Sequence, residues 1–188
     1  MMNDSNRTCE LCTSTGGEIL WQNTFCRSTA NRQKMAVSRG ANAREAVTHY
    51  EVLERYGTAE HKERWLKPLL AGDIFAAECL TEPRGGSDFF GATCTAEDKG
   101  DHFLLNGQKR FIVGGEGADY FLLYARTNPD KGAQGFSLLG VERGMEGFER
   151  GRHLDKVGLD AQDTAELSFT DVRVPVDNLI GEEGMGFI

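Results

Sequence analysis

From Ile74 onward the chain breaks into short apolar segments closed by Gly, Asn or Asp, with no helix-length period between them. This pattern constrains the fold more than any other feature. It predicts strands at Ile74–Leu80, Ala92–Glu97, Phe103–Leu105, Lys109–Val113, Tyr120–Arg126, Phe136–Val141 and Glu166–Val174. Parallel strands need long crossovers, usually helices, so the expected fold is mainly β: an antiparallel barrel or sandwich. Asn106-Gly107, between two of these segments, predicts a tight hairpin.

A short helical segment precedes the strands. Ala46, Val47, Tyr50, Val52 and Leu53 recur at near-helical spacing and Gly57 supplies a stop. Thr58 is placed to cap a second helix with Glu60 in its first turn and Trp65, Leu66 and Leu69 on a buried side, and Pro68 is expected to limit it. Residues 1–44 differ in kind: six basic and three acidic residues, against 15 and 26 in the remainder. They show no sustained period, and read as a disordered leader or, less consistently with Asp4, Glu10 and Glu18, as a transit peptide.

The net charge of −8 argues against a surface that grips nucleic-acid phosphates. The apolar run Phe121–Ala125 falls far short of the roughly 20 residues a bilayer-spanning helix needs. Five irregularly spaced cysteines do not read as a secreted disulfide framework, which points to an intracellular, reducing compartment, cytoplasmic or the mitochondrial matrix. Cys9-x-x-Cys12 with Cys26 lacks a nearby fourth ligand, so no metal site is expected. Cys79 and Cys94 read as small core residues, and His61, His102 and His153 as solvated surface.

Two stretches are suited to chemistry. In Leu80-Thr81-Glu82-Pro83-Arg84-Gly85-Gly86-Ser87-Asp88 a strand runs into a proline-then-glycine loop bearing two hydroxyls; it is either an ordinary turn or a cradle for a flat or phosphorylated ligand. Glu82 at the strand exit is suited to holding that turn or accepting an N–H. The second stretch, Lys109-Arg110-Phe111-Ile112-Val113-Gly114-Gly115, delivers an aromatic that is either core or a platform for a planar cofactor. The Gly-x-Gly patterns at Gly184 and Gly115 do not follow a strand and open a helix, which excludes a Rossmann site.

These stretches, LTEPRGGSD and LNGQKRFIVGG, together with Asp155-Lys156-Val157-Gly158, Asp163 to Pro175, and Asn178 to Gly184 with Gly186-Phe187, resemble the acyl-CoA dehydrogenase family in order and spacing. The resemblance covers about residues 45–188. It implies FAD bound between a middle β domain and a C-terminal helical domain, with residues 45–72 ending an N-terminal helical domain, 73–181 forming the middle domain and 182–188 starting a linker. Glu78, Leu80, Thr81, Ser87, Phe111, Ile112 and Val113 fall on its cofactor-binding positions, and Ser87 also on a substrate-binding one. Val113 stands where the family usually has a hydroxyl, and Glu78 where an aromatic or apolar residue is common; both leave room for a flavin monooxygenase or oxidase relative.

The family reaction removes the proton α to an acyl-CoA thioester and passes the β hydrogen to the flavin, with electrons often going to an electron-transfer flavoprotein and the enzyme forming homo-oligomers. The base is a Glu of the C-terminal helical domain, and no residue here corresponds to it, so no catalytic residue is assigned. A non-catalytic truncated product is the other reading of such a chain. The expectation is that the 188-residue polypeptide alone retains FAD weakly and turns over no acyl-CoA. Bleaching of bound flavin by acyl-CoA in the purified chain is the measurement that checks this.

Overall fold

The computed structural model describes residues 43–158 and 162–187. The leader, with Cys9, Cys12 and Cys26, lies outside the described residues apart from its last two positions, as does the His153 side chain.

Helix α1 (Ala43–Tyr56) stops at Gly57, whose N–H donates to the Leu53 carbonyl at 3.0 Å. A Cβ at Gly57 would stand 2.4 Å from that oxygen, so only glycine fits the exit. Thr58 caps α2 (Ala59–His61) in a reciprocal box: its Oγ1 accepts from the His61 N–H and His61 Nδ1 accepts from the Thr58 N–H, both at 3.2 Å. A π turn (Lys62–Leu66) and α3 (Lys67–Ala71) continue the path. Pro68 does not end this run. It sits at the start of α3, directly after the π turn and with the backbone helical on both sides, and the stop is Gly72 at φ 82°.

The mainly β expectation holds. Eight strands, β1 (Ala76–Cys79), β2 (Thr95–Asp98), β3 (His102–Val113), β4 (Tyr120–Arg126), β5 (Phe136–Glu142), β6 (Phe148–His153), β7 (Thr164–Pro175) and β8 (Leu179–Ile180), form one mixed sheet. Its order is β6-β7-β3-β2-β4-β5-β8, with β1 paired to β4. Most pairs are antiparallel; β1 runs parallel to β4, Ala76 facing Tyr120.

Two corrections concern strands. Asn106-Gly107 is not a hairpin: β3 runs straight through it, and the turn lies instead between β2 and β3, where the Lys99 N–H donates to the His102 carbonyl at 2.9 Å. The register of β3 against β7 shifts between Leu105 and Gly107, and Asn106 exchanges hydrogen bonds with Asp171, Nδ2 to Oδ1 at 3.0 Å and the Asp171 N–H to Oδ1 of Asn106 at 2.9 Å. The extra residue of this shift lies in β7, where Asp171 has φ 50°, and Gly107 (φ 140°) lets β3 press against Cys94, whose Cα an added Cβ would meet at 2.8 Å. Strands β6 and β8 carried no usable signal: FERGRH does not alternate, and β8 is two residues long.

The sheet curls around one core and seats the helices on its other side. Phe148 of β6 meets Phe169 of β7 and also Phe121 of β4, both at 4.8 Å between ring centroids, although β6 and β4 are far apart in strand order. Odd-numbered β4 residues (Phe121, Leu123, Ala125) face this core, while Tyr120 and Leu122 face Tyr50, Leu53, Trp65 and Leu69. Trp65 joins helix to sheet. Its ring stacks between His61 (4.9 Å) and Tyr120 (4.8 Å), and its Nε1–H donates to Glu142 Oε1 at 2.7 Å. His61 is therefore interior, stacked on Trp65 and hydrogen-bonded through Nε2 to the Asp177 carbonyl, contrary to the solvated reading. His102 is half-buried and paired with Asp101 at 2.6 Å.

Gly140 makes room for the indole: a Cβ there would lie 2.4 Å from the Trp65 ring. Gly140→Ala is expected to lower stability by about 1–3 kcal/mol through overpacking, read by urea denaturation with Trp65 fluorescence as the probe.

Candidate functional site

The site is built where the exit of β1 meets the middle of β3. Leu80 and Thr81 leave β1 alongside β3, and the Arg110 N–H donates to the Thr81 carbonyl at 2.8 Å. The chain then turns tightly, with the Glu82 N–H donating to the Gly85 carbonyl (3.3 Å) and the Gly85 N–H to the Glu82 carbonyl (3.0 Å). Gly86 packs its Cα against Thr81, where a Cβ would approach the hydroxyl at 3.1 Å. Outside the turn, Arg84 pairs with Asp88 at 2.8 Å and donates to the Gly91 carbonyl at 2.6 Å, which braces the loop from its solvent side. Ser87 is exposed beside this brace.

Beneath the loop lies a buried charge pair. Lys109 Nζ is 2.9 Å from Glu82 Oε1 and donates to the Leu80 carbonyl at 3.2 Å; the two side chains are 0% and 2% exposed. Glu82 Oε2 accepts from the Thr93 N–H and hydroxyl (2.5 and 2.9 Å), and Oε1 from the Cys94 N–H (3.1 Å). Burial alone would push the Glu82 carboxyl up, but Lys109 and the donated N–H bonds outweigh it and hold the carboxyl below its ordinary value. Burial likewise pushes the Cys94 thiol up, to about 12, so it is inert core as expected.

Phe111 is the least expected feature. It is 57% exposed and its φ is +58°, in a second register shift of β3 against β7 between Lys109 and Ile112. A bulky residue with positive φ is a strained conformation that its surroundings must enforce. The bulge turns the ring outward, and the Arg110 guanidinium lies over it at 4.9 Å from the ring centroid. Arg110 also pairs with Glu166 of β7 at 2.8 Å. Beside them, Pro83, Gln108, Arg110, Glu166 and Ser168 line a cavity of about 300 Å³ on the outer face of β3 and β7.

The structure thus bonds the Thr81 carbonyl to Arg110, the residue before Phe111, and the Leu80 carbonyl to Lys109, with Ser87 at the end of the same loop. Val113 is half-buried two residues beyond Phe111, opposite Thr164. Ile112 is core at 2% exposure, and the Glu78 carboxyl accepts from the Tyr124 hydroxyl at 3.2 Å, with burial raising it above its ordinary value. Sequence reasoning missed Arg110, Lys109 and Glu166. The adjacent KR pair in an otherwise apolar strand was the available signal. Among the described residues no group of three or more His, Cys, Asp or Glu is placed to hold a metal, and no helix is long and apolar enough to cross a membrane.

Residues 77–172 match the family model described as the acyl-CoA dehydrogenase middle domain. A short-chain-specific acyl-CoA dehydrogenase of Clostridium acetobutylicum is 42% identical over 136 residues, 72% of this chain and 36% of that protein. The crystal structure of an acyl-CoA dehydrogenase from Geobacillus kaustophilus superposes with a TM-score of 0.76 at 39% identity, covering 96% of this chain and 47% of that one. PigA, solved with FAD and proline, gives 0.71 at 37% identity over 73% of this chain and 36% of that one. The chain belongs to the acyl-CoA dehydrogenase family, and it spans about a third of the length of the curated relatives it matches.

A carboxyl whose folded pKa lies below its unfolded value stabilises the fold above that unfolded value, and loses the contribution as pH falls through the lower one. Glu82→Gln, which leaves Lys109 buried without a counter-charge, is expected to cost about 3 kcal/mol at pH 7 by urea titration. The gap to the unsubstituted chain should narrow as pH is taken below 4.5.

Proposed function

We infer that this chain is the cofactor-bearing middle portion of a flavin-dependent oxidoreductase that desaturates an acyl-CoA thioester at its CH–CH bond. The observation that carries the reading is Phe111, an aromatic held out of the sheet by a strained bulge beside the Thr81–Ser87 loop. A ring exposed at this conformational cost, with Arg110 over part of it, leaves a flat apolar surface open to solvent. The residues fit FAD: an aromatic platform at Phe111, the hydroxyls of Thr81 and the exposed Ser87, and the Arg110 cation beside the ring. FAD, when bound, would supply the two-electron oxidation.

In this reading Thr81 and Leu80 face the ring system, Phe111 packs along it, and Ser87 serves both cofactor and thioester. Val113 has no hydroxyl, so a hydrogen bond from this position comes from its backbone. Glu78 and Ile112 contribute through the strand and bulge to which they belong, because one carboxyl is engaged with Tyr124 and the other side chain is core. Residues 45–72 and 73–181 are the end of a helical domain and the middle domain. The natural partners are an acyl-CoA, further copies of the chain in a homo-oligomer, and an electron-transfer flavoprotein as acceptor.

Titration of the purified chain with FAD, followed by flavin fluorescence and the visible band near ~450 nm, tests the reading. Phe111→Ala is expected to weaken binding by about 1 kcal/mol, roughly fivefold, with the melting temperature unchanged because the ring is exposed. Equal affinity for the variant and the unsubstituted chain would remove Phe111 from the site.

A further inference from the structure

We propose that the buried Lys109–Glu82 pair is a positioning device for the Thr81–Ser87 loop and, measured against apolar side chains of the same volume, not a net support of the fold. Its connections are the first reason. Lys109 lies in the strand that delivers Phe111, at the edge of the bulge, and its ammonium holds the Leu80 carbonyl. Glu82 belongs to the loop itself and fixes Thr93 and Cys94, where the chain returns to the sheet. One ion pair therefore ties together the start of the loop, its return and the strand bearing the aromatic platform.

Energetics gives the second reason. A fully buried ion pair gains little or nothing in stability over well-packed apolar side chains of similar volume, since two charges must be stripped of water. Two methionines would fill the same space. They would leave the Leu80 carbonyl and the Thr93 and Cys94 N–H groups without partners, and the loop would have to move to find water. What the charged pair adds is a fixed backbone path over residues 80–94. That path matters for cofactor affinity only if the loop faces flavin, so this part of the proposal rests on the function inferred above.

The test compares the full chain with Lys109→Met and with the double variant Glu82→Met/Lys109→Met, by amide hydrogen exchange and FAD titration. In the double variant, peptides over β4 and β5 should exchange as in the unsubstituted chain. Peptides over residues 80–94 should exchange at least tenfold faster, and the FAD dissociation constant should rise at least tenfold. The single variant buries an unpaired carboxylate and should melt below the double. Unchanged exchange over 80–94 in the double variant overturns the proposal, as does loss of protection throughout the sheet or failure of the double variant to fold. If the unsubstituted chain binds no FAD, the cofactor reading falls, and local against global exchange still decides whether the pair positions the loop.

Discussion

Strand β4 is covered on both faces, and the rest of the architecture follows from that. YFLLYA leaves no side free for water, so one face must be roofed by the curled sheet and the other by helices. The curl brings Phe148 and Phe169 over Phe121, and the helices arrive through Trp65, for which Gly140 leaves a seat. The charged residues at this joint, Arg64 and Glu142, are satisfied by each other in a two-pronged pair at 2.9 and 2.7 Å. With β4 in place, β1 is held parallel beside it, and β1 sets where the Thr81 loop begins.

The site is a product of irregularity in an otherwise ordered sheet. Strand β3 departs from regular pairing with β7 twice, and each departure has a separate outcome. The first, around Gly107, brings β3 hard against Cys94 and so sets the floor under Glu82 and Lys109. The second expels Phe111. Both are invisible to a period-two reading: the first adds a residue to β7 near Asp171, and the second adds one to β3 and moves the buried parity from Lys109 to Ile112.

That explains what could be read from the sequence and what could not. The positions of β4, β5 and β7 follow from apolar alternation and burial, and the Thr58 cap, the Gly57 stop and the role of Glu82 follow from local chemistry. The Asn106-Gly107 pair misled because long-range pairing overrode a local turn preference: β3 continues through it opposite the extra residue of β7, and Asn106 bonds Asp171. His61 misled because its burial depends on Trp65 and on Asp177, more than a hundred residues away. Thr81, Leu80 and Phe111 were singled out through family resemblance, and their role toward a flavin is a proposal. The adjacent Lys109-Arg110 pair marked these positions, but their contacts with Glu82, Glu166 and Phe111 belong to tertiary packing, which spacing does not show.

The outward-facing rings have a further physical consequence. Phe89, Phe90 and Phe111 all meet solvent, the first two beside Phe187. Water wets such surface poorly, and its tendency to be covered strengthens on warming and in strongly hydrated salts such as sulfate. In this acidic chain a few aromatic edges therefore work against like-charge repulsion, and cold, low-sulfate conditions weaken their tendency to associate.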